Sequence, residues 1–149
     1  FSPPPSDVYE RHLMYIKNFK KSILMVAGSA AQKLMMTLAK EQEILMSIAD
    51  MMNWTYTAES VVLRVQKLNN AKGAEAAALP LDIMQTYVYS VADKINVAGK
   101  DALIGFAEGD ELKMMLMGMK RFTKVDPFNC KEARRRVAGA CIEKNEYCF

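Results

Sequence analysis

His12 is the only histidine in the chain, and that removes several chemistries at once. A two-histidine metal site, a histidine-based triad within the chain and a HExxH zinc helix each need an imidazole that is absent. His12 itself is expected on the surface. The three cysteines, Cys130, Cys141 and Cys148, make no CxxC pair and lie in the last 20 residues. Cys130 and Cys141 would stand about 16 Å apart along one helix, out of disulfide reach. An odd set with no framework spacing predicts a reducing compartment, the cytoplasm.

Carboxylates at short spacing, Glu41 with Glu43 and Glu108 with Asp110 and Glu111, have the residue types for general acid–base work. They flank turns, however, where acids favour helix starts, and are read as solvated. Glu59 sits next to Ala58 on an apolar seam and is expected to be partly buried, as an ion pair or surface group rather than a catalyst. No GxGxxG or GxxxxGK[ST] run occurs and the glycines are scattered singly, so no nucleotide-phosphate loop is visible.

From Lys120 to Arg136, seven basic residues stand against the two acids Asp126 and Glu132. Such a patch could meet phosphate. Consecutive arginines fan over about 200° of a helix, though, so a solvated or partner-facing role is read for Arg134, Arg135 and Arg136. The twelve methionines, clustered at Met35-Met36, Met51-Met52, Met114-Met115, Met117 and Met119, are either core filling or an adaptable docking surface.

These groups need elements to hold them, and every element expected is a helix. At 149 residues, 51% hydrophobic and 25% charged, the chain fits one soluble domain able to bury roughly 68–70% of its unfolded surface. A net charge of +3 does not favour nucleic acid as a partner. Residues 1–5, opening Phe1-Ser2-Pro3-Pro4-Pro5, suit an extended linker, and the start suggests a piece of a longer protein. Residues 6–149 form the domain.

Ser6-Asp7 caps a long helix A, whose apolar positions Tyr9, Leu13, Ile16, Phe19, Ile23, Ala27, Ala30, Leu34 and Leu38 step by three or four. Its smooth stretch from Ala27 to Ala31 allows close approach of another helix, with a break expected near 37–41. Helix B carries the seam Ile44, Ile48, Met51, Thr55, Ala58, Val62 and Val65 to about Leu68, and the 69–73 segment ends it. Helix C opens with Pro80 in its first turn and presents Met84, Tyr87, Val91, Ile95, Ala98, Ala102 and Gly105. A turn at 108–110 starts a short helix D, apolar nearly all round from Leu112 to Met119. Asn129 and Glu132 resemble a capping box for helix E, with Val137, Ala138, Cys141 and Ile142 inward. The fold class is therefore all-α, an up-down bundle of three long helices and one or two shorter ones.

The run from Ala39 to Leu68, AKEQEILMSIADMMNWTYTAESVVLRVQKL, resembles the C-terminal helical extension of very-long-chain-type acyl-CoA dehydrogenases. Glu41, Gln42, Leu45, Ile48, Ala49, Asp50 and Tyr56 carry the EQ-x-x-L-x-x-IAD-x-x-x-x-x-Y pattern. The run from Phe106 to Asn129, FAEGDELKMMLMGMKRFTKVDPFN, looks like the closing segment found in bacterial members. The resemblance implies a helical domain of a flavoprotein of fatty-acid oxidation, whose FAD, acyl-CoA and catalytic glutamate belong to a dehydrogenase core that these residues do not include. It also implies packing on that core and on a second subunit, with a peripheral membrane contact in some relatives.

No catalytic, cofactor-binding or metal-binding residue is expected in the chain. Its interface is expected at Ala27, Ala30, Ala31, Met114, Met115, Met117, Met119 and Arg121, since obligate interfaces are more apolar than ordinary surface. The rival reading is a free-standing helical adaptor or membrane-surface binder using Lys17, Lys20, Lys21 and Lys33 along helix A.

Overall fold

The structure, a computed structural model, describes residues 3–149. Five α-helices follow one another: α1 (Val8–Leu34), α2 (Gln42–Lys72), α3 (Ala78–Phe106), α4 (Gly109–Phe122) and α5 (Cys130–Lys144), with a 3-10 segment, Met35–Lys40, between α1 and α2. Among the described residues there is no strand. The expected linker falls partly outside them; Pro3, Pro4 and Pro5 carry no regular secondary structure.

Local sequence explains the helix ends. The Asp7 carboxylate accepts the Glu10 N–H at 2.9 Å, and Asn129 accepts the Glu132 N–H at 3.2 Å, each satisfying a donor that the first helical turn leaves unpaired. Gly73 ends α2 at φ +89, a region open to glycine and costly for other residues. The end of α1 is less relaxed: Met35 adopts φ 46, and its N–H returns to the Ala31 carbonyl. The helix thus stops at Leu34, before the expected break.

Three contacts give the layout of the long helices. Ile44 lies 3.6 Å from where a Cβ on Gly105 would stand, the Lys94 ammonium lies 6.0 Å from the Trp54 ring, and Lys20 pairs with Glu59. Each helix therefore runs antiparallel to its predecessor, as short links demand. The core gathers Ile16, Phe19 and Val26 of α1, Met51, Ala58 and Val62 of α2, and Met84, Val91, Ile95 and Leu103 of α3.

α4 closes one side. Its Met119 enters the notch left by the absent Cβ of Gly99, where an added carbon would meet the Met119 sulfur at 2.7 Å. The Thr123 hydroxyl donates to the Met119 carbonyl at 2.7 Å and accepts from the Asn96 amide at 2.9 Å, fixing the end of α4 to α3. α5 lies along α3, held by buried Ala133 and by Arg136, whose guanidinium donates twice to Asp82, both at 2.8 Å.

Four sequence expectations shift. His12 is buried, not exposed: the inward line of α1 runs through Tyr9, His12, Ile16, Phe19, Ser22, Val26 and Ala30, leaving Leu13, Ile23 and Ala27 half-buried. On α3, Gly105 is exposed and Tyr87 and Ala98 are half-buried, while Val88, Ala92, Gly99 and Leu103 join the core. Helix α3 touches all four other helices, so no single stripe describes it. On α5, Ala138 and Ile142 point outward, with Ile142 78% exposed, because one neighbouring helix covers only a narrow line. Finally, α4 is not apolar all round in its burial: Met115 and Met119 face in, Met114 and Met117 out.

Candidate docking surface

The titratable groups come closest to converging in a small cavity of about 210 Å³ lined by Arg11, His12, Tyr15, Tyr89 and Asp126 among others. Here the groups are already engaged. His12 Nδ1 lies 2.7 Å from the Val8 carbonyl, and the Asp126 N–H donates to the Tyr15 hydroxyl at 3.2 Å. Burial holds the His12 imidazole below its ordinary pKa and the Tyr15 phenol above its own. The arrangement favours both neutral forms and ties the segment between α4 and α5 to α1.

The expected acids behave as surface groups. Glu59, half-buried, pairs with Lys20; Glu111 meets Lys33 at 3.7 Å and Asp110 meets Lys113 at 3.8 Å. No cluster of metal-ligating side chains occurs among the described residues. A cleft of about 660 Å³ between α2, the start of α3 and the carboxy-terminal segment has Val61, Val65, Leu68, Leu79 and Ile83 in its walls.

What the surface offers instead is apolar. Between α1 and α2 a groove of about 430 Å³ is lined by Ile23, Leu24, Met52, Thr55 and Tyr56, with Lys20 and Glu59 also in its lining. Leu24 is 73% and Tyr56 76% exposed, an outlay of apolar surface that water disfavours at about 25 cal/mol per Å². Beneath them the Thr55 hydroxyl is buried without a hydrogen-bond partner. An orphaned buried hydroxyl costs about 1–3 kcal/mol unless another group reaches it.

The eight residues expected at an interface divide by position. Ala30, Met115 and Met119 are buried inside the bundle and Ala27 half-buried, whereas Ala31, Met114, Met117 and Arg121 face outward. The Met25 sulfur of α1 lies 2.9 Å from where a Cβ on Gly118 of α4 would stand, so α1 and α4 meet within the chain just before the smooth stretch. The sequence missed the α1–α2 groove as a unit. Its one available signal was Thr55, a hydroxyl on an otherwise apolar seam, and Tyr56 beside it.

Fold and surface together define an all-helical bundle domain with open apolar grooves. The chain belongs to the acyl-CoA dehydrogenase C-terminal domain family, whose model matches residues 18–121. A curated relative, a probable acyl-CoA dehydrogenase of Bacillus subtilis (strain 168), is 38% identical over 144 residues, covering 97% of this chain and 24% of the relative. Among solved structures, an acyl-CoA dehydrogenase complexed with FAD from Bacillus anthracis superposes with a TM-score of 0.93 at 33% identity, covering 97% of this chain and 25% of that one. The chain thus spans about a quarter of the length of these relatives, and its family and fold are those the resemblance implied.

Proposed function

We propose that this chain is the non-catalytic helical domain of an FAD-dependent acyl-CoA dehydrogenase acting in the cytoplasm, where it packs on its own dehydrogenase core and supports assembly with a second subunit. The observation that carries the reading is the α1–α2 groove: exposed Leu24, Met52 and Tyr56 make an apolar surface that is more stable covered than bare. Outward-facing Met114 and Met117, with Ala31 and Arg121, supply a second area for the same neighbours. The flavin and the reacting acyl-CoA would sit in the other three quarters of the protein.

The test uses the full-length gene product. It is expected to carry flavin and oxidise acyl-CoA, and removal of residues 6–149 is expected to weaken its assembly in sedimentation. A full-length protein without flavin, or an assembly indifferent to the deletion, would overturn the reading.

One observation favours a second reading. Residues 8–40 are long and apolar enough, by length and composition, to cross a membrane, although the core helix of a bundle passes the same test. Exposed Leu24, Met35 and Met36 could instead touch a membrane surface. Against this, Lys20 and Lys33 are taken up by Glu59 and Glu111, leaving Lys17 and Lys21, of the four lysines, without an ion pair among the described residues. Flotation of the full-length protein with anionic vesicles separates the two, and only the second reading expects binding.

A further inference from the structure

The carboxy-terminal end of α5 holds two thiols that the function above does not use. The helix closes at Asn145 in the left-handed conformation, φ 54 and ψ 36, a geometry asparagine tolerates better than most residues. That turn sends the chain back along the helix. Cys148 consequently returns to the level of Ala140, the residue next to Cys141, and donates to its carbonyl at 3.7 Å. Cys130 begins the same helix and lies about 16 Å away along its axis. Seven residues of sequence would separate Cys141 and Cys148 by about 10 Å on a continuous helix; the reversal at Asn145 removes that separation.

We propose that Cys141 and Cys148 form a reversible disulfide, a thiol-oxidation site that ties the carboxy-terminal segment onto α5. The oxidant is a low-molecular-weight disulfide such as oxidised glutathione. One protein thiolate attacks a sulfur of the oxidant and releases one small thiol, leaving a mixed disulfide. The second protein thiolate then attacks that protein sulfur and releases the other small thiol. Two electrons pass from the cysteine pair to the oxidant, and the two protons lost by the cysteines are taken up by the released thiolates.

The turn at Asn145, which returns Cys148 to the residue next to Cys141, makes the second step intramolecular, with an effective concentration in the millimolar range or above. Closure therefore outruns a second adduct. The consequence is local: Tyr147, Cys148 and Phe149 form one wall of the 660 Å³ cleft against α2 and the start of α3, and the rings of Tyr147 and Phe149 meet edge to face at 6.0 Å. A disulfide fixes that wall, and its reduction frees it to open. Partial burial and the neighbouring Cys141 thiol raise the Cys148 thiol above its ordinary pKa, so closure accelerates as the solution is made alkaline.

Trypsin reads the outcome directly, because cleavage after Lys124, Lys131, Arg136 and Lys144 puts the three cysteines in three separate peptides. The protein is incubated with about 1 mM oxidised glutathione, quenched in acid and digested without reductant. Expected is a linked pair, 137–144 joined to the peptide beginning at Asn145, that separates on reduction and vanishes in both Cys141→Ser and Cys148→Ser. Each of these variants is expected to stop at a glutathione adduct on its remaining thiol, and Cys130→Ser to keep the linked pair. Linkage through Cys130, intermolecular dimers, three independent adducts, or two free thiols at the end of the incubation would each overturn the assignment.

Discussion

The Arg136 guanidinium grips the Asp82 carboxylate with two hydrogen bonds of 2.8 Å, the fork-on-fork geometry in which arginine holds a carboxylate most firmly. Arg136 belongs to the basic run read from the sequence as solvated or partner-facing, and its partner lies within the chain. With Ala133 the only buried residue of α5, this pair and a thin apolar line hold the helix to α3. Asp82→Ala is expected to release α5 selectively: amide exchange should speed up across 130–144 and stay slow in α2. Uniform acceleration through the whole bundle would show that α5 is an integral part of the core.

Phe19 is fully buried among the three long helices, where truncating an aromatic ring leaves a cavity that close-packed neighbours fill poorly. Phe19→Ala should cost about 3–5 kcal/mol, measured by denaturant unfolding. A loss under about 1 kcal/mol would mean that the interior is loosely packed there.

The Gly99 notch makes a sharper packing test. Met119 fills the space in which a side chain at 99 would stand, and the Met51 methyl lies 3.2 Å from where that Cβ would be. Gly99→Leu should destabilise by about 1–3 kcal/mol through overpacking, and Met119→Ala in that background should recover part of the loss. Absence of recovery would place the strain somewhere other than at Met119.

His12 predicts a pH dependence of defined sign. Burial lowers its folded-state pKa below the unfolded value, so the unfolded state binds the proton more tightly. Stability from this group is complete above the unfolded pKa, near 6.5, declines as pH falls below it, and levels off beneath the folded pKa, with a slope of at most about 1.4 kcal/mol per pH unit. His12→Gln should flatten the unfolding midpoint between pH 7 and pH 5 relative to the parent chain. An equally steep decline in the variant would assign the acid sensitivity to other groups.

Helix number, order and polarity were legible in the sequence because apolar steps of three and four residues survive in a helix that buries one continuous stripe between two neighbours. Thus the seam of α2, which packs chiefly on α1 and α3, was read residue for residue, from Ile44 to Val65. Where a helix meets more or fewer neighbours, the stripe alone misplaced residues: Val88 and Leu103 of the central α3 were missed, and Ile142 of the peripheral α5 was turned inward. The groove was less legible still. Leu24 and Tyr56 lie 32 positions apart, and only the antiparallel register of α1 and α2, set by the bundle and by Lys20 with Glu59, brings them together.

Thr55 tests the floor of the groove rather than its rim. Its buried hydroxyl lacks a partner in the chain, so Thr55→Val should stabilise the isolated 149-residue chain by about 1 kcal/mol. Because the hydroxyl is shut off from the surface, the same change should leave the midpoint for dissociation of the full-length protein's subunits unaltered. Destabilisation of the isolated chain would mean that the hydroxyl is already satisfied.

Methionine oxidation footprinting tests most directly whether these outward apolar faces are covered in the complete protein. Met52, Met114 and Met117 are exposed in the chain and Met51 is fully buried, so peroxide should modify the first three quickly and Met51 slowly when the domain is free. In the full-length protein, Met52 together with Met114 and Met117 is predicted to slow several-fold, with Met51 unchanged. Equal rates for these three methionines in the free and full-length forms would contradict the account, because the groove and the outer face of α4 would then remain in water.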